Sequence, residues 1–218
     1  MYIQLNSQII SYEKTGEGKP VILLHGNNED HHIFDALASK LELGHTVYAM
    51  DSRGCGESAT PKEYHYSDMA DDVLNLIRAL DIRDSYIIGF SDGAIVALLV
   101  AIRASYLLKG IVCCGANLSP DGIKHSDLKE MKREYKKTLD PKLKMMLEEP
   151  NIDTKMLGQI EVPAFILAGE NDCIKEKETE KIAKAIPNGK MLILSGEDHY
   201  SYVVQNAMLY DYIHDFLK

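Results

Sequence analysis

Tyr86-Ile87-Ile88-Gly89-Phe90-Ser91-Asp92-Gly93-Ala94-Ile95-Val96-Ala97-Leu98-Leu99-Val100-Ala101-Ile102 holds an apolar strand, a serine framed by glycines and an apolar helix, with no linker between them. A chain that passes from strand to helix over so few residues turns sharply, and the turn lifts the serine hydroxyl above the sheet. Gly89 and Gly93 suit such a turn because side chains there would collide with neighbouring backbone. Gly-x-Ser-x-Gly carries little weight alone. The apolar strand before it and the apolar helix after it make Ser91 the candidate nucleophile.

On either side of this stretch, short apolar runs alternate with helical spacings. The runs cover residues 21–24, 46–50, 86–90, 110–114, 164–168 and 191–194, and several are apolar at nearly every position. Strands buried on both faces read in that way. Ile33, Leu37 and Leu41 make one helical stripe; Met69, Val73, Leu76, Ile77 and Leu80 make a second. Ile182, Ala185 and Ile186 make a third, and residues 203–216 are expected as a closing helix. Residues 3–5 and 8–13 read as a hairpin turning at Asn6-Ser7. The alternation predicts one α/β domain over residues 1–218, with a mostly parallel sheet and helices on both faces. Ligands of such sheets bind beyond the carboxyl ends of the strands. Residues 119–160 break the rhythm and are expected as a small helical cap. Leu128, Met131, Tyr135 and Leu139 form one of its stripes, and Leu143, Met146 and Leu147 the next, with Pro141 dividing them.

A serine hydroxyl needs a base to take its proton, and the base needs an orienting partner. A nucleophile on this kind of turn is followed along the chain by the acid and then the histidine. Asp172 stands just past the run 164–168 and His199 just past 191–194, on the same sheet edge as Ser91. Asp121 is the reserve candidate for the acid. The oxyanion would be met by the backbone N–H groups of Asp92, after the nucleophile, and of Asn27, in the loop His25-Gly26-Asn27-Asn28. A histidine base of this kind is expected to titrate with an apparent pKa of roughly 6–7. The Asp92 carboxylate is expected to bond locally at its helix start, the alternative being an ion pair with a substrate ammonium.

Composition removes other classes. With 24 basic against 33 acidic residues, the net charge of -9 disfavours nucleic acid and anionic membrane surfaces as partners. The opening residues 1–14 show no apolar run behind a basic cluster, and no stretch is long and apolar enough to span a membrane. The cysteines at 55, 113, 114 and 173 form no CxxC pair, so a reducing cytoplasm is expected and a zinc site or disulfide framework is not. Gly54-x-Gly56-x-x-Ala59 formally matches a dinucleotide fingerprint, but Pro61 follows where a helix should open. His25, His31 and His32 lack the i, i+4 spacing of helical metal ligands. The run Lys129, Lys132, Arg133, Lys136 and Lys137 alternates with Glu130 and Glu134 as a solvated helix face does. Met131, Met145, Met146 and Met156 are expected as cap core, the alternative being an adaptable apolar wall for an acyl group.

His25-Gly26 after one strand, Asp51-Ser52-Arg53-Gly54-Cys55-Gly56-Glu57-Ser58 after the next, Gly89 to Gly93, Asp172 and His199 together resemble the α/β-hydrolase superfamily. The likeness covers essentially the whole chain in the right order. It implies a cofactor-free serine hydrolase, and Ser91-Asp92-Gly93 looks like the valacyclovirase-like and small bacterial esterase branches. The cap is short for that superfamily. The expected function is hydrolysis of a small carboxylic ester through an acyl-enzyme. Thioester, aminoacyl-ester, amide and carbon–carbon cleavage use the same groups and stay open, as does a ligand receptor on the same fold.

Overall fold

A computed structural model of the chain describes residues 1–6 and 8–218. Eight strands form one sheet: β1 (Tyr2–Leu5), β2 (Gln8–Thr15), β3 (Lys19–Leu24), β4 (His45–Met50), β5 (Ser85–Phe90), β6 (Leu108–Cys114), β7 (Ala164–Gly169) and β8 (Gly189–Leu194). Their spatial order is β1-β2-β4-β3-β5-β6-β7-β8. The neighbours from β4 to β8 are all parallel, while β1 and β2 join antiparallel at one edge. Each apolar run became a strand. In the hairpin turn Asn6 takes φ 51° and Ser7 lies outside the described residues.

The apolar-throughout character of the central strands has a direct cause. β5 is buried at every position, and its side chains divide by alternation between two cores. Ile87 packs with α2 (Tyr66–Ala79) and α3 (Asp92–Ala104) on one face. Ile88 and Phe90 pack with α1 (Asp35–Leu41) and, near the C-terminus, a helix over Met208–Ile213 on the other. The all-round apolar α3 lies between the sheet and α2, which explains its lack of a polar face.

Between β6 and β7 the chain forms α4 (His125–Thr138), α5 (Pro141–Glu148) and the short α6 (Thr154–Leu157). Leu139, expected on the α4 stripe, instead ends that helix in a left-handed conformation, φ 53°, and is exposed. Asp140 then accepts the Lys142 N–H, and Pro141 opens α5, where its missing N–H does no harm. A further helix, α7 (Glu176–Ala185), buries Ile182 under the sheet. The closing helix is shorter than expected, with only α8 (Met208–Ile213) formed. Residues 201–205 make turns, Gln205 is left-handed at φ 50°, and the Asn206 side chain accepts the Met208 N–H to start a fresh helix. No helix among the described residues is long and apolar enough to cross a membrane.

β3 lies between β4 and β5, so the chain leaves it first to one side and later returns on the other. The loops after β3 and β5 therefore diverge and leave a crevice at the sheet's carboxyl edge. Ile87, fully buried at the centre of this sheet, tests the packing. Ile87→Ala is expected to lower the free energy of unfolding by about 2–5 kcal/mol. Urea titration should show an earlier midpoint with an unchanged slope.

Candidate active site

Ser91 sits at φ 52°, ψ -115°, a conformation that disfavours any side chain. Its N–H donates to the Cys114 carbonyl at 2.8 Å, and its own carbonyl accepts the Ala94 N–H at 2.9 Å. The two glycines make the turn fit. A Cβ on Gly89 would stand 2.2 Å from the Gly93 carbonyl oxygen, and one on Gly93 would stand 2.0 Å from that of Leu24. α3 thus begins pressed against β5 and β3, with Ser91 at its head.

His199 and Asp172 arrive from the loops after β8 and β7. Their ring and carboxylate are linked by a 2.7 Å Nδ1–Oδ1 contact, and Nε2 lies 3.0 Å from the Ser91 Oγ. With Asp172 ionised, Nδ1–H donates to it, leaving Nε2 to accept from the serine hydroxyl. Asp172 is almost wholly buried, so its charge needs further partners. Its Oδ1 also accepts the Ile174 N–H at 2.8 Å. Asp121, the reserve acid, lies exposed on a 3₁₀ turn and makes no such contact. Burial resists the charged form of His199, but the hydrogen bonds and charges of Asp172 and Cys173 together outweigh it and raise the ring's pKa above its ordinary value. The expected titration at roughly 6–7 is therefore moved upward. Room for the ring comes from Gly115, at φ 68°, where a Cβ would stand 2.6 Å from the His199 Cε1.

Asp92 and Asn27, whose N–H groups are expected to meet an oxyanion, both line the same crevice. Among the described residues neither backbone N–H donates to another protein group, as suits the first turn of a helix and an open loop. The Asp92 carboxylate does not bond locally. It accepts the Tyr66 hydroxyl at 2.6 Å and the Asn27 Nδ2 at 2.9 Å, and is 2% exposed. Burial pushes its pKa up, and these two donors oppose that shift. With both oxygens engaged and buried, it is poorly placed to meet a substrate ammonium. Its side chain instead fixes Asn27, which carries one of the two free N–H groups.

Sequence patterning does not single out Glu29, yet its carboxyl stands beside the serine. Its Oε2 accepts the Gly26 N–H at 2.9 Å. A Cβ on Gly26 would lie 2.6 Å from that oxygen and 3.1 Å from the Ser91 Cβ. Burial pushes the Glu29 carboxyl up to about 7. The available clue was its place three residues after Gly26, within reach of that N–H. The histidines behave as structural groups. His25 bonds to the Gly26 carbonyl and accepts the Ser52 N–H, while the neighbouring rings of His31 and His32, 4.1 Å apart, each bond a separate carboxylate, Asp51 and Asp35. After Gly56 the chain runs through a turn, bends and irregular backbone until α2, so no dinucleotide-binding helix opens there.

Ser91 and His199 open into a cavity of about 380 Å³. Met131, Leu143 and Met146 from α4 and α5 form an apolar wall. Of the methionines expected as cap core, only Met145 is buried; Met131 and Met146 face the cavity and Met156 is exposed. The ionisable lining includes Glu29, Asp92, Asp127 and Glu130, with no lysine or arginine.

A model of the alpha/beta hydrolase fold family matches residues 19–148. The chain is 25% identical to AB hydrolase superfamily protein YisY of Bacillus subtilis, over 99% of this chain and 98% of that protein. It is 26% identical to serine hydrolase BPHL of Homo sapiens, over 78% of this chain and 69% of that one. Among solved structures, a thermophilic esterase from Thermogutta terrifontis superposes with a TM-score of 0.82 at 22% identity, covering 100% of this chain and 97% of the esterase. The family match runs from β3 to the end of α5 and takes in the turn that carries Ser91: the chain belongs to the α/β-hydrolase fold family.

Proposed function

We propose that the chain is a serine hydrolase that cleaves a small carboxylic ester through an acyl-enzyme. Ser91 Oγ attacks the carbonyl carbon while His199 Nε2 takes the hydroxyl proton. The oxyanion is met by the N–H groups of Asn27 and Asp92. His199 returns its proton to the departing alcohol, then draws one from the water that releases the acid. Asp172 holds the Nδ1–H tautomer and stabilises the imidazolium. The observation that carries this assignment is the unbroken hydrogen-bonded chain from Asp172 through His199 to Ser91, ending in a cavity. Residues 119–160 serve as a short cap on a single hydrolase domain, and Met131, Leu143 and Met146 meet the acyl chain. A lining that includes the carboxyls of Glu29, Asp127 and Glu130 and no lysine or arginine disfavours acyl groups that bear negative charge. The four unpaired thiols suit a reducing cytoplasm.

Ser91→Ala should lower turnover on short esters by on the order of 10⁴–10⁶-fold. A fluorophosphonate should label Ser91 in the parent and nothing in the variant; labelling that persists points to another nucleophile.

The pH dependence has a definite sign. His199 acts as base only when neutral, and Asp172 favours its charged form. The rise of kcat/KM with pH should therefore be centred above the ordinary histidine value of 6.5. Asp172→Asn should move that limb to lower pH and cut the rate. An unmoved limb excludes Asp172 as the partner.

A short cap encloses little of a long chain. Acetyl to hexanoyl esters should outrun palmitoyl esters in kcat/KM; a steady climb with chain length contradicts the placement of the cap.

A further inference from the structure

Cys173 follows the acid Asp172 directly, and the proposed reaction gives it nothing to do. Its sulfur, a carboxylate oxygen of Asp172 and a ring nitrogen of His199 all lie within 4.8 Å of one another. They form the one group of three or more metal-ligating side chains so gathered among the described residues. Thiolate, imidazole and carboxylate together suit a borderline or soft divalent ion such as Zn²⁺ or Cd²⁺.

A second cavity gives this cluster its own entrance. A surface depression of about 300 Å³ borders Asp172, Cys173 and His199. It is also lined by Asp127, Asp198 and Lys124. The Asp198 carboxylate there accepts the backbone N–H groups of Tyr200 at 2.8 Å and Ser201 at 2.9 Å. The entrance therefore carries more negative than positive charge, which favours a cation.

We propose that Asp172, Cys173 and His199 form an inhibitory site for a thiophilic divalent cation, reached through this depression. The ion binds Sγ as thiolate, whose proton leaves to water, and takes the Nδ1 of His199. The single proton of the neutral imidazole then sits on Nε2. An Nε2–H cannot accept the Ser91 proton, so the base is blocked. The Asp172 Oδ2 supplies the third ligand; its contact with the Gly169 N–H is long, 3.4 Å, and is lost at little cost. Water completes a tetrahedral set. Cys173 also borders the substrate cavity, but that space is about 380 Å³, so one ion beside Sγ leaves most of it open and removes turnover rather than substrate binding.

The inhibition rests on the hydrolase assignment above; the binding does not, and the two are read separately. Cd²⁺ is titrated into the parent, Cys173→Ala and Cys55→Ala, Cys55 being the other half-buried thiol. The thiolate-to-cadmium absorption band reports binding. Hydrolysis of a short ester reports inhibition, each protein being compared with its own metal-free rate. The parent and Cys55→Ala should show a band that saturates at one ion per chain, with kcat lost, KM unchanged and recovery on chelation. Cys173→Ala should show neither the band nor the loss. A band that survives in Cys173→Ala, a band lost only in Cys55→Ala, or binding that leaves kcat intact overturns the proposal. If the parent hydrolyses no ester, the hydrolase assignment fails while the absorption titration still decides whether the cluster binds the ion.

Discussion

The backbone conformation of Ser91 is the constraint on which the site depends. A non-glycine residue held near φ 52° with an unusual ψ costs on the order of 1–3 kcal/mol and persists only when its surroundings leave no alternative. Here β5 is buried throughout on one side and α3 nearly so on the other. Neither element can relax the turn without exposing apolar surface. The Ser91 N–H is also tied to the Cys114 carbonyl of the neighbouring strand. The strain therefore remains in place, and it sets the Ser91 hydroxyl in the crevice that Asp92 also lines.

Charge within that crevice is handled in two ways. Asp172 and Asp92 are buried, and each has fixed donors: His199 and the Ile174 N–H for the first, Tyr66 and Asn27 for the second. Such carboxylates act as rigid supports, one holding the His199 ring and the other the loop that carries Asn27. Glu29 differs. One of its oxygens holds Gly26, the carboxyl borders the cavity, and burial raises its pKa to about 7. A carboxyl in this state shifts between neutral and charged near neutrality, where an oxyanion would develop close by.

The fold was legible because burial on both faces writes a plain pattern. Strands such as β5 and β3 are apolar at successive positions, and the spacing of α1 and α2 is helical. Ser91, Asp172 and His199 could be placed because each follows a strand on one edge of the sheet, so topology brings them together. What stayed illegible depends on contacts across long sequence separations. Nothing local indicates that Tyr66 and Asn27 meet over Asp92. Nor does periodicity reveal that Leu139 ends its helix or that Asn206 starts a new one, because hydrogen bonds of turns and caps decide both.

The central claim is that one serine carries the acyl group between two half-reactions. Rapid mixing with a p-nitrophenyl ester, followed by acid quench and peptide mass spectrometry, tests it most directly. The account predicts a burst of p-nitrophenol close to one per chain whenever deacylation is the slower step. It also predicts one acyl group on the peptide containing Ser91, formed and lost at rates consistent with turnover. Steady hydrolysis with no acylated peptide, or an acyl group that resides on Cys173 and turns over there, contradicts it.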